Sequence, residues 1–230
     1  MKIAGWIALL GLLGAAGAEA GTITGRAAAQ GPSVPGGGGD GAYASLQYKF
    51  AEKVDYEHLR DFVVYLDQAV PGTEGQVTEA AEVTQRNVDF DTHVGSEHHV
   101  LPIAVGSTVR WPNADEIFHN VFSISEPREF DLGMYTRDQV KEVRFDKVGQ
   151  VDVFCAIHTK MHCVVLVLPN RCFAVTNGRG RYRIENVPAG TYRIKAWHER
   201  LPASTKTVVV PASGLVTVDF TLGFAALPHP

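Results

Sequence analysis

The sequence lacks the short motifs that mark common hydrolases, nucleotide-binding proteins and zinc proteases. It contains no nucleophile elbow, no phosphate-binding loop and no zincin motif. It also has little excess of either charge: the formal net charge is −4 over 230 residues, which argues against nucleic acid or an anionic membrane as a partner. Helical periodicity is nearly absent. The informative features are therefore the strand pattern and the sulfur and imidazole side chains.

Long apolar runs are missing everywhere except at the start. Lys2 supplies a positive charge, residues 3–17 are apolar, and Ala18-Glu19-Ala20 is a small-x-small cleavage site. This pattern predicts a secretory signal peptide over residues 1–20. No cysteine follows it directly, which argues against a bacterial lipid anchor, and no later stretch approaches the roughly 20 apolar residues of a membrane helix. We expect a periplasmic or secreted protein without a membrane span.

Apolar and polar residues alternate with a period of two through much of the remaining chain. Clear examples are residues 151–155, 181–184 and 216–222. This period is typical of half-buried strands, so the sequence predicts an all-β fold built from β-sandwiches. Residues 27–41, rich in Ala and then in Gly, are predicted to form a flexible loop. The only helix candidate is short and lies around residues 56–60.

Cysteine is scarce, with three residues at Cys155, Cys163 and Cys172. An odd number in an oxidising compartment suggests that one thiol is committed elsewhere. A metal on Cys155 and a disulfide between Cys163 and Cys172 would balance the count. Two buried free thiols are the alternative, and the sequence leaves both open.

Four potential metal ligands occur in two segments. Cys155, His158 and Met161 lie within seven residues, and His119 lies upstream. One thiolate, two imidazoles and a thioether are the ligands of a blue-copper electron-transfer site, which is trigonal with a long axial sulfur. Cys155 shares a strand face with Val151 and Val153, so its sulfur is expected to point inward. Such a site has no open position for a substrate, which predicts an electron carrier and not an enzyme.

Residues 84–169 resemble the cupredoxins, in particular plastocyanin and amicyanin. The motifs that carry the resemblance are Asn113, His119-Asn120-Val121-Phe122, Phe154-Cys155-x-x-His158-x-x-Met161 and the preceding Phe145-Asp146-x-x-Gly149-x-Val151-x-Val153. The resemblance implies a Greek-key β-sandwich that holds one type 1 copper through His119, Cys155, His158 and Met161. It also implies that Asn120 hydrogen-bonds across to the Cys155 loop, and that unidentified redox proteins are the partners.

Residues 171–224 resemble a small transthyretin-like or carboxypeptidase-regulatory-like sandwich. The similar segments are 174–184 and 187–194, and the opening strands of such a module are matched far upstream by residues 21–25 and 62–66. We therefore predict one sandwich from residues 21–75 and 171–224, with residues 84–169 inserted, although domains in simple series are possible. The segments 130–133 and 196–199 resemble those of exported bacterial proteins called plastocyanin or methylamine-utilisation proteins.

Other functions compete with electron transfer. A zinc site could use Cys155, His158 and either His162 or Cys163. A second copper site could draw on the histidines at 93, 98 and 99. The chain could also be a copper-binding carrier or an envelope interaction module. The sandwich predicted from residues 21–75 and 171–224 would then attach it to another protein.

Overall fold

The computed structural model describes residues 20–31, 54–73, 81–95, 97 and 99–224. These residues form strands and connections without an α-helix, which confirms the predicted all-β fold. None of them belongs to a helix long and apolar enough to cross a membrane. The predicted signal peptide lies outside the described residues except for Ala20.

Eighteen strands follow one another along the described part of the chain. They are β1 (Ala20–Ala29), β2 (Val63–Leu66), β3 (Ala81–Glu82), β4 (Thr84–Gln85), β5 (Phe90–Asp91), β6 (Val100–Ala104), β7 (Ser107–Pro112), β8 (His119–Ser125), β9 (Arg128–Tyr135), β10 (Val140–Phe145), β11 (Gly149–Phe154), β12 (His162–Leu168), β13 (Phe173–Val175), β14 (Arg181–Pro188), β15 (Gly190–His198), β16 (Leu201–Val210), β17 (Leu215–Thr217) and β18 (Phe220–Leu222).

The inner sandwich is made by β3–β12. One sheet has the strand order β6-β12-β11-β8-β9 and faces a smaller sheet with the order β10-β7-β3, while β4 and β5 form a short hairpin. The alternating residues of the facing strands fill one apolar core, in which Trp111, Tyr135 and Phe145 are among the largest buried side chains. Cys155 and Met161 belong to this core.

The outer sandwich combines the two ends of the described chain. In one sheet β1 pairs with β14, β17 and β18, and in the other β2 lies between β13 and β15, with β16 at the edge. The chain leaves this sandwich after β2 and returns to it at β13. The insertion of residues 84–169 into a sandwich of residues 21–75 and 171–224 stays a prediction.

Strand β12 is buried on both faces and joins the two sandwiches. Cys163, Val165 and Val167 face the inner core. The alternate residues, Val164, Leu166 and Leu168, pack against the outer sandwich in a third apolar cluster, together with Val63, Tyr65, Val100 and the half-buried Phe173, Val175 and Trp197. The two sandwiches are therefore stacked through a continuous apolar junction.

The three cysteines are all free. Cys163 lies in the inner core and Cys172 in the core of the outer sandwich, so the disulfide that the sequence left open is not formed. Burial raises the pKa of the Cys163 thiol well above its ordinary value and that of Cys172 to about 11. Both are therefore protonated, apolar core residues at neutral pH.

Two local predictions were wrong. Residues 56–58 form a turn, with the Asp55 and His58 side chains in contact at 2.7 Å, and residues 59–60 are irregular. No helix forms because so short a segment cannot offset the cost of helix nucleation. The predicted loop at 27–41 starts too early: Ala27–Ala29 end strand β1 and pair in parallel with β18. Ala27 is 1% exposed, so its small side chain fits a tight core position. Residues 32–41 lie outside the described residues.

We expect the packing between the two sandwiches to depend strongly on Leu166, which is buried in the apolar junction. Truncation by Leu166→Ala leaves a cavity between the stacked sheets and should lower the free energy of unfolding by about 2–5 kcal/mol. Ile124→Ala is the matched control, because Ile124 is 76% exposed and should change stability by less than about 0.5 kcal/mol. Urea denaturation measures both, and equal effects would show that the junction contributes little.

Because His198, at the end of β15, is buried, we predict that the free energy of unfolding depends on pH. Its ring packs against Phe62 with the centroids 5.0 Å apart, and its Nδ1 accepts the Arg200 backbone N–H at 3.1 Å. Burial lowers the pKa of His198 despite the opposing effect of Glu199. Above the unfolded pKa of about 6.5 both states are neutral there, whereas below it only the unfolded chain takes up the proton.

Stability should therefore fall as the pH drops below about 6.5 and until it passes the lowered pKa of His198. The His198→Gln variant should lose this part of the decline, as measured by urea denaturation at pH 7.5 and 5. An identical loss of stability between pH 7.5 and 5 in the wild type and the variant would show that His198 does not cause it.

Candidate metal centre

Three metal-ligating atoms converge at one end of the inner sandwich. The Nδ1 atoms of His119 and His158 are 3.0 Å apart, and the Sγ of Cys155 is 3.6 Å from the His158 Nδ1. All three donor atoms lie within 4.8 Å of one another, and no other such group of His, Cys, Asp and Glu occurs among the described residues. The structure thus brings together His119, Cys155 and His158 from the predicted ligand set.

Strand pairing accounts for this convergence. Strand β11 ends at Phe154, which is paired with Phe122 of β8 on one side and with His162 of β12 on the other. The first residue of β8 is His119, so this imidazole lies beside the loop that leaves β11 at Cys155. The loop 155–161 closes through the Met161 N–H, which donates to the His158 carbonyl at 2.9 Å.

Two of the three converging side chains are buried, and His158 is partly exposed to solvent. His119 is fully buried and Cys155 is 5% exposed, while His158 is only half-buried. Met161 is fully buried in the same apolar core as Cys155. The core therefore excludes water from one side of the donor group, and His158 forms its edge toward solvent.

The donor group fits a metal ion. Ligands that share one first-row ion through bonds of about 2.0 Å to nitrogen and about 2.3 Å to sulfur lie about 3.0–3.8 Å apart. The distances from the His158 Nδ1 to the other two donors, 3.0 and 3.6 Å, fall in this range, and all three donors lie within 4.8 Å of one another. A buried thiolate beside two imidazoles suits copper or zinc, and a neighbouring thioether favours copper. The residues present thus fit the predicted metal.

Asn120 contacts both the loop of Cys155 and the neighbouring strand. Its Oδ1 accepts the Ala156 N–H at 3.3 Å, and its Nδ2 donates to the Asp131 carboxylate at 2.7 Å. Asp131 also accepts the Gly133 N–H at 2.7 Å, and these two bonds are the main reason why the pKa of Asp131 is lowered. Asn120 therefore ties the residue after Cys155 to β9.

Asp115, which the sequence did not mark as a site residue, contacts His119 through its carboxylate. The Nε2 of His119 lies 2.9 Å from Asp115 Oδ2, and the Asp115 side chain is 15% exposed. Burial raises the pKa of Asp115, but hydrogen bonds from the backbone N–H groups of Val88 and Asn87 and from His119 outweigh it, so the pKa is lowered. Asp115 lies four residues before His119, and in a segment of strands and turns that spacing gave no reason to select it.

The rival zinc ligands are directed elsewhere. The ring of His162 stacks on Phe154 with the centroids 4.8 Å apart, and its Nε2 lies 3.1 Å from the Asp152 carboxylate. Cys163 is 0% exposed in the core and does not join the converging group.

The other histidines assemble no second site among the described residues. His93 Nε2 is 2.8 Å from the Thr84 hydroxyl, and its Nδ1 is 3.3 Å from Asp91. The Nδ1 of His99 is buried without a hydrogen-bond partner. His98 lies outside the described residues.

Comparisons with known proteins give limited matches. No protein-family model matches the sequence, and no curated protein matches it. Similar solved structures include an amicyanin mutant in its reduced Cu(I) form at pH 4, with 24% identity and a TM-score of 0.34 over 40% of this chain and 84% of that chain. Another amicyanin mutant, in the Cu(I) form, has 22% identity and a TM-score of 0.34 over 45% of this chain and 97% of that chain.

A copper-containing nitrite reductase from Thermus scotoductus SA-01 is also similar, with 22% identity and a TM-score of 0.35 over 44% of this chain. The match spans 25% of the nitrite reductase chain. At these identities and TM-scores, the similarities concern the fold alone and add nothing to the assignment of the site.

Substitution of Asn120 tests its bridge to the Cys155 loop. Asn120→Ala removes both hydrogen bonds of a buried amide and should lower the free energy of unfolding by about 1–3 kcal/mol. Asn120→Asp keeps the acceptor for Ala156 but places a second carboxylate against Asp131, so it should cost more at neutral pH than at pH 4. Urea denaturation at both pH values measures this order. If Asn120→Asp lowered the free energy of unfolding equally at both pH values, the contact between Asn120 and Asp131 would be contradicted.

Proposed function

We propose that the protein is an exported type 1 copper protein that carries single electrons between redox partners. The observation that carries this proposal is the convergence of the His119 Nδ1, His158 Nδ1 and Cys155 Sγ atoms, with Met161 buried in the same core as Cys155. A bound copper ion would supply a one-electron couple between its two oxidation states. The protein's own residues would hold the ion and shield it.

Each residue has a distinct part in this proposal. The thiolate of Cys155 would compensate the positive charge of the ion inside the apolar core, where an uncompensated charge is costly. His119 and His158 would supply neutral imidazole nitrogens, and Met161 a weak axial sulfur. Because the ligands come from β8 and from the loop between β11 and β12, the sheet holds them in place before the ion binds.

His158 is the proposed point of electron entry and exit. It is the most exposed of the three converging ligands, and apolar side chains beside it and beside His119 are unusually exposed: Ile157 is 52% exposed, Phe118 55% and Ile117 45%. An apolar rim at an electron-transfer site allows brief docking of a partner without a large charged interface.

Transfer of electrons, and not turnover of a substrate, is the activity we propose. His119, Cys155, His158 and Met161 together would leave no position for a substrate on a bound ion, unlike the open coordination of catalytic metal sites. The partners are redox proteins, and their identity is not specified by this site.

Addition of Cu(II) to the purified protein tests the proposed centre. We expect an intense visible band from thiolate-to-copper charge transfer, saturating at one equivalent and bleached reversibly by a reductant. Cys155→Ser should abolish the band. Cys172→Ser is the matched control, since that thiol lies in the other core, and it should keep the band.

A Cys155→Ser protein that retained the band would refute the ligand assignment. Tight binding of Cu(I) without a visible Cu(II) band would favour a copper carrier, and tight binding of Zn(II) in preference to copper would favour a zinc site. Electron exchange with a small soluble redox protein, followed by stopped-flow absorbance, distinguishes a carrier of electrons from a carrier of copper.

A further inference from the structure

The hairpin between β4 and β5 contains an unusual turn. The residues Arg86 and Asp89 exchange both backbone hydrogen bonds, at 3.0 and 3.1 Å, across a two-residue turn. Both central residues have a left-handed backbone, with φ of 57° at Asn87 and 60° at Val88. Asn accepts this conformation readily, whereas a β-branched residue such as Val is strained in it.

Packing of the side chain does not explain the strain, because Val88 is 42% exposed. The contact that the turn does make is with Asp115. The carboxylate accepts the Asn87 N–H at 2.7 Å and the Val88 N–H at 2.9 Å. Successive N–H groups in a left-handed turn form a concave site for an anion, and here the anion is a side chain of the same protein.

The third partner of that carboxylate is His119. A carboxylate held by two backbone N–H donors is an acceptor, so the Nε2 of His119 must carry the hydrogen at this 2.9 Å contact. In a neutral imidazole the Nδ1 then has a free lone pair. The Nδ1 is the atom that lies 3.0 Å from the His158 Nδ1 in the converging group.

We infer that Asp115 is a positioning residue for His119, and that the strained Asn87–Val88 turn is built to hold Asp115. The carboxylate fixes both the rotation and the tautomer of the imidazole, so that Nδ1 is presented toward Cys155 and His158. Its negative charge also makes the imidazole a stronger donor, which favours the more positive oxidation state of a bound ion. This role rests on the proposed copper function.

Asp115→Asn separates this role from a purely structural one. The amide retains an acceptor for the turn but can donate an N–H toward Nε2, which permits the tautomer with the hydrogen on Nδ1. In metal-free protein, long-range ¹H–¹⁵N NMR of the His119 ring should show only the Nε2–H tautomer in the wild type and a mixture in the variant. Affinity for Cu(II) should fall about 10–100-fold, and affinity for Cu(I) by less.

Asp89→Asn is the matched control. Asp89 belongs to the same turn and its side chain accepts the adjacent Phe90 N–H at 2.8 Å, so the substitution removes the same charge without touching His119. It should leave the tautomer and the Cu(II) affinity within about twofold of the wild type, the scatter expected for surface changes.

Val88→Gly provides a background in which the turn needs less support from the carboxylate. Glycine adopts the left-handed conformation without strain and keeps the N–H, so the urea midpoint should be no lower than in the wild type. If Asp115→Asn alone fails to fold, the same measurements are made on Asp115→Asn combined with Val88→Gly, against Val88→Gly itself.

A single Nε2–H tautomer in the variant, with Cu(II) affinity within about twofold of its reference, would overturn the positioning role. A wild type that binds no copper, but whose His119 tautomer still depends on Asp115, would refute the proposed function and leave the positioning of His119 intact. The NMR measurement therefore distinguishes the two failures.

Discussion

Strand β12 is buried on both faces and links the two sandwiches. One set of its side chains completes the inner core, and the alternate set forms the junction with the outer sandwich. A shift of one residue would exchange these two sets, which are both apolar but differ in side-chain size. Close packing on both faces, and not polarity, therefore favours the observed register of β12 against β11. The same register pairs His162 with Phe154, so it also sets the length of the loop that carries Cys155, His158 and Met161.

The loop 155–161 could be predicted to carry the donor atoms because its information is local. The spacing of Cys155, His158 and Met161 lies within one loop, and the alternation of β11 placed the thiol on the inward face. His119 needed the resemblance to a known pattern, since only the pairing of β8 with β11 brings it to the loop. The all-β class followed from the same alternation along most of the chain.

The parts that could not be predicted depend on contacts between distant segments. Asp115 reaches a turn 27 and 28 residues upstream, and neither an aspartate nor the Asn87–Val88 pair is distinctive alone. The sequence of Ala27–Ala29 resembles a low-complexity segment, and alanine alone does not indicate whether a residue is buried. The strand there depends on pairing with the distant β18. The stacking of the two sandwiches was likewise invisible, since a strand buried on both faces shows a continuous apolar run and not alternation.

In the oxidising compartment to which the proposed export would bring the chain, the separation of Cys163 and Cys172 into two cores has a consequence for folding. The two thiols are nine residues apart in the sequence, so in the unfolded chain they meet readily across a short loop. A disulfide formed between them cannot persist in a structure that places them in different cores. Such a crosslink would be a kinetic trap, released only by thiol–disulfide exchange, which is slow unless it is catalysed. The yield of native protein after export would then depend on the ratio of the rate of burial of β12 to the rate of thiol oxidation.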